Sequence, residues 1–189
     1  TQDSQIPMTR GLGSSSACII GGMLAANIIS GRQLSYQEII HLAAKMEGHP
    51  DNVGPALFGG FCVSLMDGDK TIIKSTKLKS HIKFAVIIPD FFVATKKSRG
   101  VLPSKIDFKD AVFNVGHASM FQAAMLTCDM KALEIGVKDK LHQQYRKSYV
   151  DGMEDIFEKT YHLGSHATYL SGSGPTILSI LDSNYDEFK

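Results

Sequence analysis

Apolar and polar positions alternate along this chain in two different periods, and the change of period marks most of its elements. From Ala17 to Ile29 the residues are apolar nearly all round, a pattern that predicts a buried helix stopped by Ser30-Gly31. Ser35-Tyr36-Gln37-Glu38 is a capping box, in which the serine hydroxyl accepts from an otherwise unpaired N–H and the glutamate reaches back. It opens a second helix with Ile39, Ile40, Leu42, Ala43 and Met46 on its apolar side, ended by Gly48. A turn-rich passage follows, with His-Pro-Asp-Asn at 49–52, Gly54-Pro55 and Gly59-Gly60. Phe61 to Met66 reads as a strand, and Asp67-Gly68-Asp69 as a hairpin turn into Thr71-Ile72-Ile73.

A lysine-rich, polar stretch over 74–83 marks a boundary near residue 80. Beyond it the pattern predicts a buried strand over 84–88, an extended piece over 91–95, long helices within 105–137 and a further helix over 142–161. Ala167 to Leu170 and Ile177 to Leu181 predict a strand pair around the turn Ser-Gly-Ser-Gly-Pro-Thr at 171–176. Strands interspersed among helices place the fold in the α+β class. The first amino acids reach a glycine loop almost at once, and a helix is only beginning at Asn-Tyr-Asp-Glu-Phe-Lys, so both ends read as cuts through a larger architecture.

Composition narrows the function more by exclusion than by assertion. With 189 residues, 43% hydrophobic and 21% charged, the chain has the makeup of an ordinary globular protein. Its net charge of +1 and lack of a lysine-arginine block offer nucleic acid no electrostatic footprint. The longest apolar run is too short for a bilayer, so no membrane is expected, and Cys18, Cys62 and Cys128 read as reduced packing residues of a cytoplasmic protein.

The candidate chemistry begins at Gly11-Leu12-Gly13-Ser14-Ser15-Ser16, directly before the first helix. Helix N-termini favour anions, glycines let backbone approach phosphate, and serine hydroxyls bond oxygen or ligate Mg2+. The loop lacks the lysine of a Walker motif and the third glycine of a dinucleotide fingerprint, and a plain serine cap after a glycine turn explains it equally well. Glu47 is the second anomaly. A carboxylate in the last turn of a helix faces the negative end of the dipole, at about 0.3–1 kcal/mol. A Mg2+ shared with the loop serines would compensate, as would Lys45. His49, Asp51 and Asn52 offer an imidazole, an acid and an amide able to orient a hydroxyl, although turn chemistry and a cap on a short helix over 53–57 serve as well. Lys96, Lys97 and Arg99 cluster after a strand, and Arg146 lies in His-Gln-Gln-Tyr-Arg. The glycine turn at 171–176 suits either close approach to a ligand or another loop, or a tight strand connection.

Taken together, these residues resemble the small-molecule kinases of the GHMP group. Pro7, Met8, Thr9, Arg10, Gly11, Leu12, Gly13, Ser14, Ser15, Ser16 and Ala17 look like its phosphate loop, with Ser16 where alanine is commoner. The turn at 171–176 looks like its C-terminal glycine motif. Glu-Gly-His-Pro-Asp-Asn at 47–52, Thr-Lys-Lys-Ser-Arg-Gly at 95–100 and His-Gln-Gln-Tyr-Arg at 142–146 are similar to the homoserine kinase branch. The resemblance implies ATP-dependent phosphorylation of the side-chain hydroxyl of L-homoserine, a step toward threonine. It implies that residues 7–17 wrap the ATP phosphates, with Ser15 and Glu47 on Mg2+. His49 and Asn52 would contact homoserine, Arg99 and Arg146 would hold its carboxylate, Thr95 would lie near the transferring group, and Asp51 would orient or assist.

The implied architecture is the remainder of a ribosomal-protein S5 domain 2-like nucleotide-binding half over 1–78, then a ferredoxin-like half over 79–189 without its last helix. The site would lie between them. The resemblance also implies an upstream asparagine- and aspartate-bearing motif, which this chain does not contain, and leaves room for a homodimer. Two rivals stand beside it: a sibling kinase acting on another small alcohol such as mevalonate, and a non-catalytic remnant that holds nucleotide without transferring phosphate.

Overall fold

A computed structural model describes residues 3–79, 81–91, 98 and 100–182. Contacts divide the chain into two compact units: Thr1–Met8 with Gly13–Leu78, and Thr9–Leu12 with Lys79–Lys189. The glycine loop therefore runs through both, changing unit between Leu12 and Gly13.

In the first unit, α1 (Ser14–Ile29), α2 (Tyr36–Glu47) and α3 (Val53–Phe58) precede a hairpin of β1 (Phe61–Asp67) and β2 (Lys70–Thr76). The capping box forms as the sequence predicts: Glu38 N–H donates to Ser35 Oγ, and Ser35 N–H to the Glu38 carboxylate at 2.8 Å. Those Ser35 contacts hold the Glu38 carboxyl below its usual range. The hairpin closes on the pair Asp67–Lys70, with Gly68 at φ 54 supplying the left-handed conformation of a two-residue turn. Ile20, Ile39, Ile40, Ala43 and Val53 form the core, joined by Leu24, Leu57 and Ile73. Helix α2 lies on β2, where Gln37 Nε2 donates to the Thr71 carbonyl at 2.6 Å and His41 Nδ1 meets Thr71 Oγ1 at 3.2 Å.

Helix α1 departs from expectation. Only Ser16 and Ile20 are buried, while Cys18, Gly21, Gly22, Ala25 and Ile29, which recur on one helical face, are exposed. The apolar pattern was a reading of the whole circumference, and within this unit α2 and α3 cover only one side of it.

The second unit contains β3 (Lys83–Ile87), α4 (Phe108–Thr127), α5 (Met130–Gly136), α6 (Gln143–Arg146), α7 (Met153–His162), β4 (Ala167–Leu170) and β5 (Ile177–Leu181). Its antiparallel sheet has the order β3-β5-β4, with Ile87 and Leu170 both opposite Ile177. Being central, β5 is buried at Ile177, Ser179, Ile180 and Leu181. Val150, Met153, Leu170 and Ile177 make the core, with Ile156 and Phe157 from α7 against it. A chain of buried hydroxyls, Thr160–Thr168–Ser179 at 2.8 Å each, lets polar residues sit beneath the helix without an unmet hydrogen bond.

The long helical stretch over 105–137 breaks at Cys128, which takes φ 59, and restarts where Asp129 caps Ala132 N–H at 3.1 Å. The single helix expected over 142–161 is corrected. It is α6, a short 3-10 turn over Lys147–Tyr149, and α7, because Val150 is extended and Gly152 is left-handed at φ 71. The extended piece over 91–95 and the helix expected at the C-terminal end lie, all but Phe91, outside the described residues.

Helices α4 and α5 meet at Gly136, where a Cβ would come within 2.6 Å of Phe121 N and 2.7 Å of its Cα. Backbone cannot yield as a side-chain tip can. Gly136→Ala is therefore expected to cost about 1–3 kcal/mol, read as a lower urea midpoint; an unchanged midpoint would contradict this packing.

Candidate active site

In the first unit the site grows from the N-terminus of α1. Gly13 occupies the N-cap at φ 74, so no side chain takes up the first N–H groups of the helix. Ser15 Oγ donates to Glu47 Oε2 at 3.0 Å. Glu47 ends α2, where Gly48 turns the chain at φ 84. Lys45, the alternative neighbour for Glu47, points instead to Asp69 at 3.4 Å. The misplaced carboxylate thus faces a serine hydroxyl at a positive helix end.

Ser16 Oγ is fully buried and has no hydrogen-bond partner among the described residues. His49 Nδ1 and Asp51 Oδ1 form a short hydrogen bond, and Asp51 Oδ1 also accepts from Asn52 N–H at 3.0 Å. Asp51 therefore turns its acceptor into the local bend and does not cap α3, whose N-cap is Asn52 with no side-chain bond. Asn52 packs against the loop: a Cβ at Gly13 would touch its Cβ, Cγ and Oδ1 at 3.4 Å. Ser15 is thus brought to Glu47, and Gly13 to Asn52.

In the second unit, Thr9–Leu12 is braced from the glycine turn. Thr176 N–H donates to Arg10 O at 3.3 Å, and Ser171 Oγ to Gly11 O at 2.6 Å. Arg10 Nη1 donates to Pro89 O at 2.8 Å, just beyond β3. Gly11 sits at φ 79 so close to the turn that a Cβ would fall 2.3 Å from Ser171 O. Thr9 is left-handed at φ 57, unusual for a β-branched residue and held by this bracing. Both readings of the turn hold: it joins β4 to β5 tightly, closing through Ser171 N–H to Thr176 O at 2.8 Å, and it presents its outer groups to Gly11.

Arg146 is only 8% exposed. Its Nε donates to Ser98 O at 3.3 Å, and its Nη1 to Gly172 O at 2.8 Å and His142 Nδ1 at 3.2 Å. Ser98 Oγ in turn donates to Ser173 O at 2.8 Å. Thr95 and Arg99 lie outside the described residues, as do Lys96 and Lys97. The bracing by Ser171 and Arg10, and the surroundings of His142, were not legible beforehand. Signals existed for His142, which shares a five-residue segment with Arg146, and for the turn at 171–176, which suits close approach to another loop.

Ser15 and Glu47 fit a magnesium ion on chemical grounds. Both are hard oxygen donors, within 3.0 Å of one another, at a helix end that attracts phosphate. Mg2+ needs only one or two such protein ligands when phosphates and water supply the rest. No group of three or more His, Cys, Asp or Glu able to hold a metal occurs among the described residues, so an all-protein cage is not what the site offers.

Comparison with known proteins bears on this arrangement directly. The GHMP kinases N terminal domain matches residues 1–60, and the GHMP kinases C terminal domain residues 121–187. A homoserine kinase of Caldicellulosiruptor saccharolyticus is 46% identical over 186 residues, covering 98% of this chain and 60% of that protein. One from Clostridium botulinum is 43% identical over 183 residues, covering 97% and 61%. The crystal structure of homoserine kinase from Cytophaga hutchinsonii superposes with a TM-score of 0.88 at 26% identity, covering 98% of this chain and 60% of that one. The chain thus spans about three fifths of the length of the relatives it matches. The glycine loop and the glycine turn fall within the two matched domain patterns: the chain belongs to the GHMP kinase family.

Proposed function

We propose that this chain carries the phosphate-binding and much of the substrate-binding apparatus of an ATP-dependent kinase that converts L-homoserine to O-phospho-L-homoserine, in threonine biosynthesis. The observation that supports it most is the Ser15–Glu47 pair at the uncapped N-terminus of α1. Relatives named homoserine kinase, at 43–46% identity, favour homoserine over mevalonate as the alcohol.

In this reading Pro7–Ala17 wraps the ATP phosphates, its backbone N–H groups and the α1 dipole meeting their charge. Ser15 and Glu47 hold Mg2+, which when bound neutralises charge on the phosphate oxygens. His49 and Asn52 contact homoserine, and Arg99 and Arg146 hold its carboxylate. Thr95 lies near the transferring group. The homoserine hydroxyl oxygen forms the new bond to the γ-phosphorus, the bond to the β–γ bridging oxygen breaks, ADP leaves, and the hydroxyl proton passes to a phosphoryl oxygen and then to water. Such transfer depends on alignment and charge more than on a strong base, since its transition state is loose. Asp51, fastened to His49 and the Asn52 N–H, orients the hydroxyl and is not required to take its proton.

No helix among the described residues is long and apolar enough to cross a membrane, and the proposed setting is the cytoplasm. The test is ADP release by the full-length enzyme with homoserine, mevalonate and shikimate in parallel. Preference for homoserine is expected. Equal or greater turnover of mevalonate would remove the substrate assignment, and MgATP binding without any turnover would favour the non-catalytic rival.

A further inference from the structure

His142 is tied to Arg146 in a way the phosphoryl-transfer scheme does not use. Arginine has donors only, so the 3.2 Å contact from Arg146 Nη1 requires His142 Nδ1 to present its lone pair. The ring is then neutral with its proton on Nε2. That edge lies 3.9 Å from Asp139 Oδ1.

Asp139 is itself fixed. Its carboxylate accepts from the backbone N–H of Leu141 at 3.1 Å, of His142 at 2.8 Å and of Gln143 at 2.7 Å, and from Asn114 Nδ2 of α4 at 2.9 Å. The segment is fastened again at Gln143, whose Oε1 accepts from Leu170 N–H at 2.8 Å, one residue before the glycine turn. Asp139 thus fixes the turn that carries His142, and His142 meets a guanidinium that also reaches Gly172 O.

We propose that His142, seated by Asp139, is a positioning residue for the carboxylate-binding end of the site: its Nδ1 aims the Arg146 guanidinium. The inference rests on the reading of Arg146 as a substrate-carboxylate ligand. It gives the site a distinctive acid sensitivity, because a protonated ring has no lone pair for Arg146 and sets two cations side by side. Burial lowers the His142 pKa from its ordinary 6.5, with Arg146 adding to the drop and Asp139 opposing it. Asp139 lies below its own usual range, since burial pushes it up but the Gln143, His142 and Asn114 hydrogen bonds outweigh that. Among the described residues these two are the charged groups facing the ring; Lys140 turns to Asp110 at 3.1 Å. The arm is therefore intact at neutral pH and released below the ordinary histidine range.

In the full-length enzyme, His142→Ala is expected to raise KM for homoserine about tenfold or more, with KM for MgATP and kcat changed less than about twofold. His142→Asn, whose Oδ1 takes the place of Nδ1, should restore most of the loss. The wild type should lose homoserine affinity as pH falls below the ordinary histidine range, and His142→Asn should not. A His142→Ala enzyme with unchanged KM for homoserine overturns the proposal, as does an Asn variant that keeps the wild-type acid limb. Should the alanine variant fail to fold, the asparagine variant decides. Nitrogen-15 NMR of the wild-type rings separates this inference from the substrate assignment. A proton on Nδ1 with normal homoserine turnover removes the positioning role alone. A proton on Nε2 with no homoserine turnover removes the substrate reading, and the carboxylate role with it.

Discussion

Replacing Gly11 with alanine in the full-length enzyme is expected to lower kcat/KM for MgATP by on the order of 100-fold, the scale at which a displacement of about 1 Å is felt in catalysis. Two causes act at once. The residue sits at φ 79, where a Cβ is disfavoured, and that Cβ would fall 2.3 Å from Ser171 O, a backbone atom held within its own turn. Either the loop backs away from the turn, breaking the 2.6 Å bond from Ser171 Oγ to Gly11 O, or the turn unwinds. Gly172→Ala is the informative control. Its φ is also positive, at 54, but the nearest atom to its Cβ would be Gly11 O at an unstrained 3.7 Å. It should lose far less activity. Equal losses in the two variants would mean that backbone conformation alone, and not the close approach, sets the loop.

Glu47→Gln should separate activity from stability. Removing the charge beside Ser15 is expected to lower kcat at limiting Mg2+ by on the order of 100-fold, since a metal-held phosphate is stabilised by several kcal/mol, with partial recovery as Mg2+ is raised. The same change relieves a carboxylate at the negative end of α2, so thermal stability should be unchanged or higher by a few tenths of a kcal/mol. A lowered melting temperature together with unaltered magnesium dependence would make Glu47 a structural residue. The signs of the two effects are opposite, which makes the pair hard to mimic by general damage.

Glu47 also shows what was legible in the sequence. A carboxylate where the helix dipole opposes it is a local anomaly, readable from one segment, and its partner Ser15 was already suspect for its own local reason. The capping box at Ser35–Glu38, the turn closed by Asp67 and Lys70, and the strands on either side of the glycine turn were equally local. The rest depends on residues far apart in sequence or on single backbone angles. The exposure of α1 turns on which of its faces α2 and α3 reach, and composition is silent on that. The break between Tyr149 and Met153 turns on backbone angles at Val150 and Gly152 that an apolar period does not register. The bracing of Arg10 by Pro89 O joins positions 79 residues apart, and Arg146 chose carbonyls of Ser98 and Gly172 that carry no side-chain signature at all.

The bond from Ser171 to Gly11 spans 160 positions. A growing polypeptide leaves the ribosome at about 5–20 residues per second, so Gly11 emerges many seconds before the group that secures it. Helix α1 and Glu47 can assemble early, yet the stretch from Thr9 to Leu12 stays unsecured until Ser171 has followed it. Nucleotide affinity should accordingly wait on that later segment, and a nascent chain stalled before β4 should bind ATP far more weakly than one extended past β5.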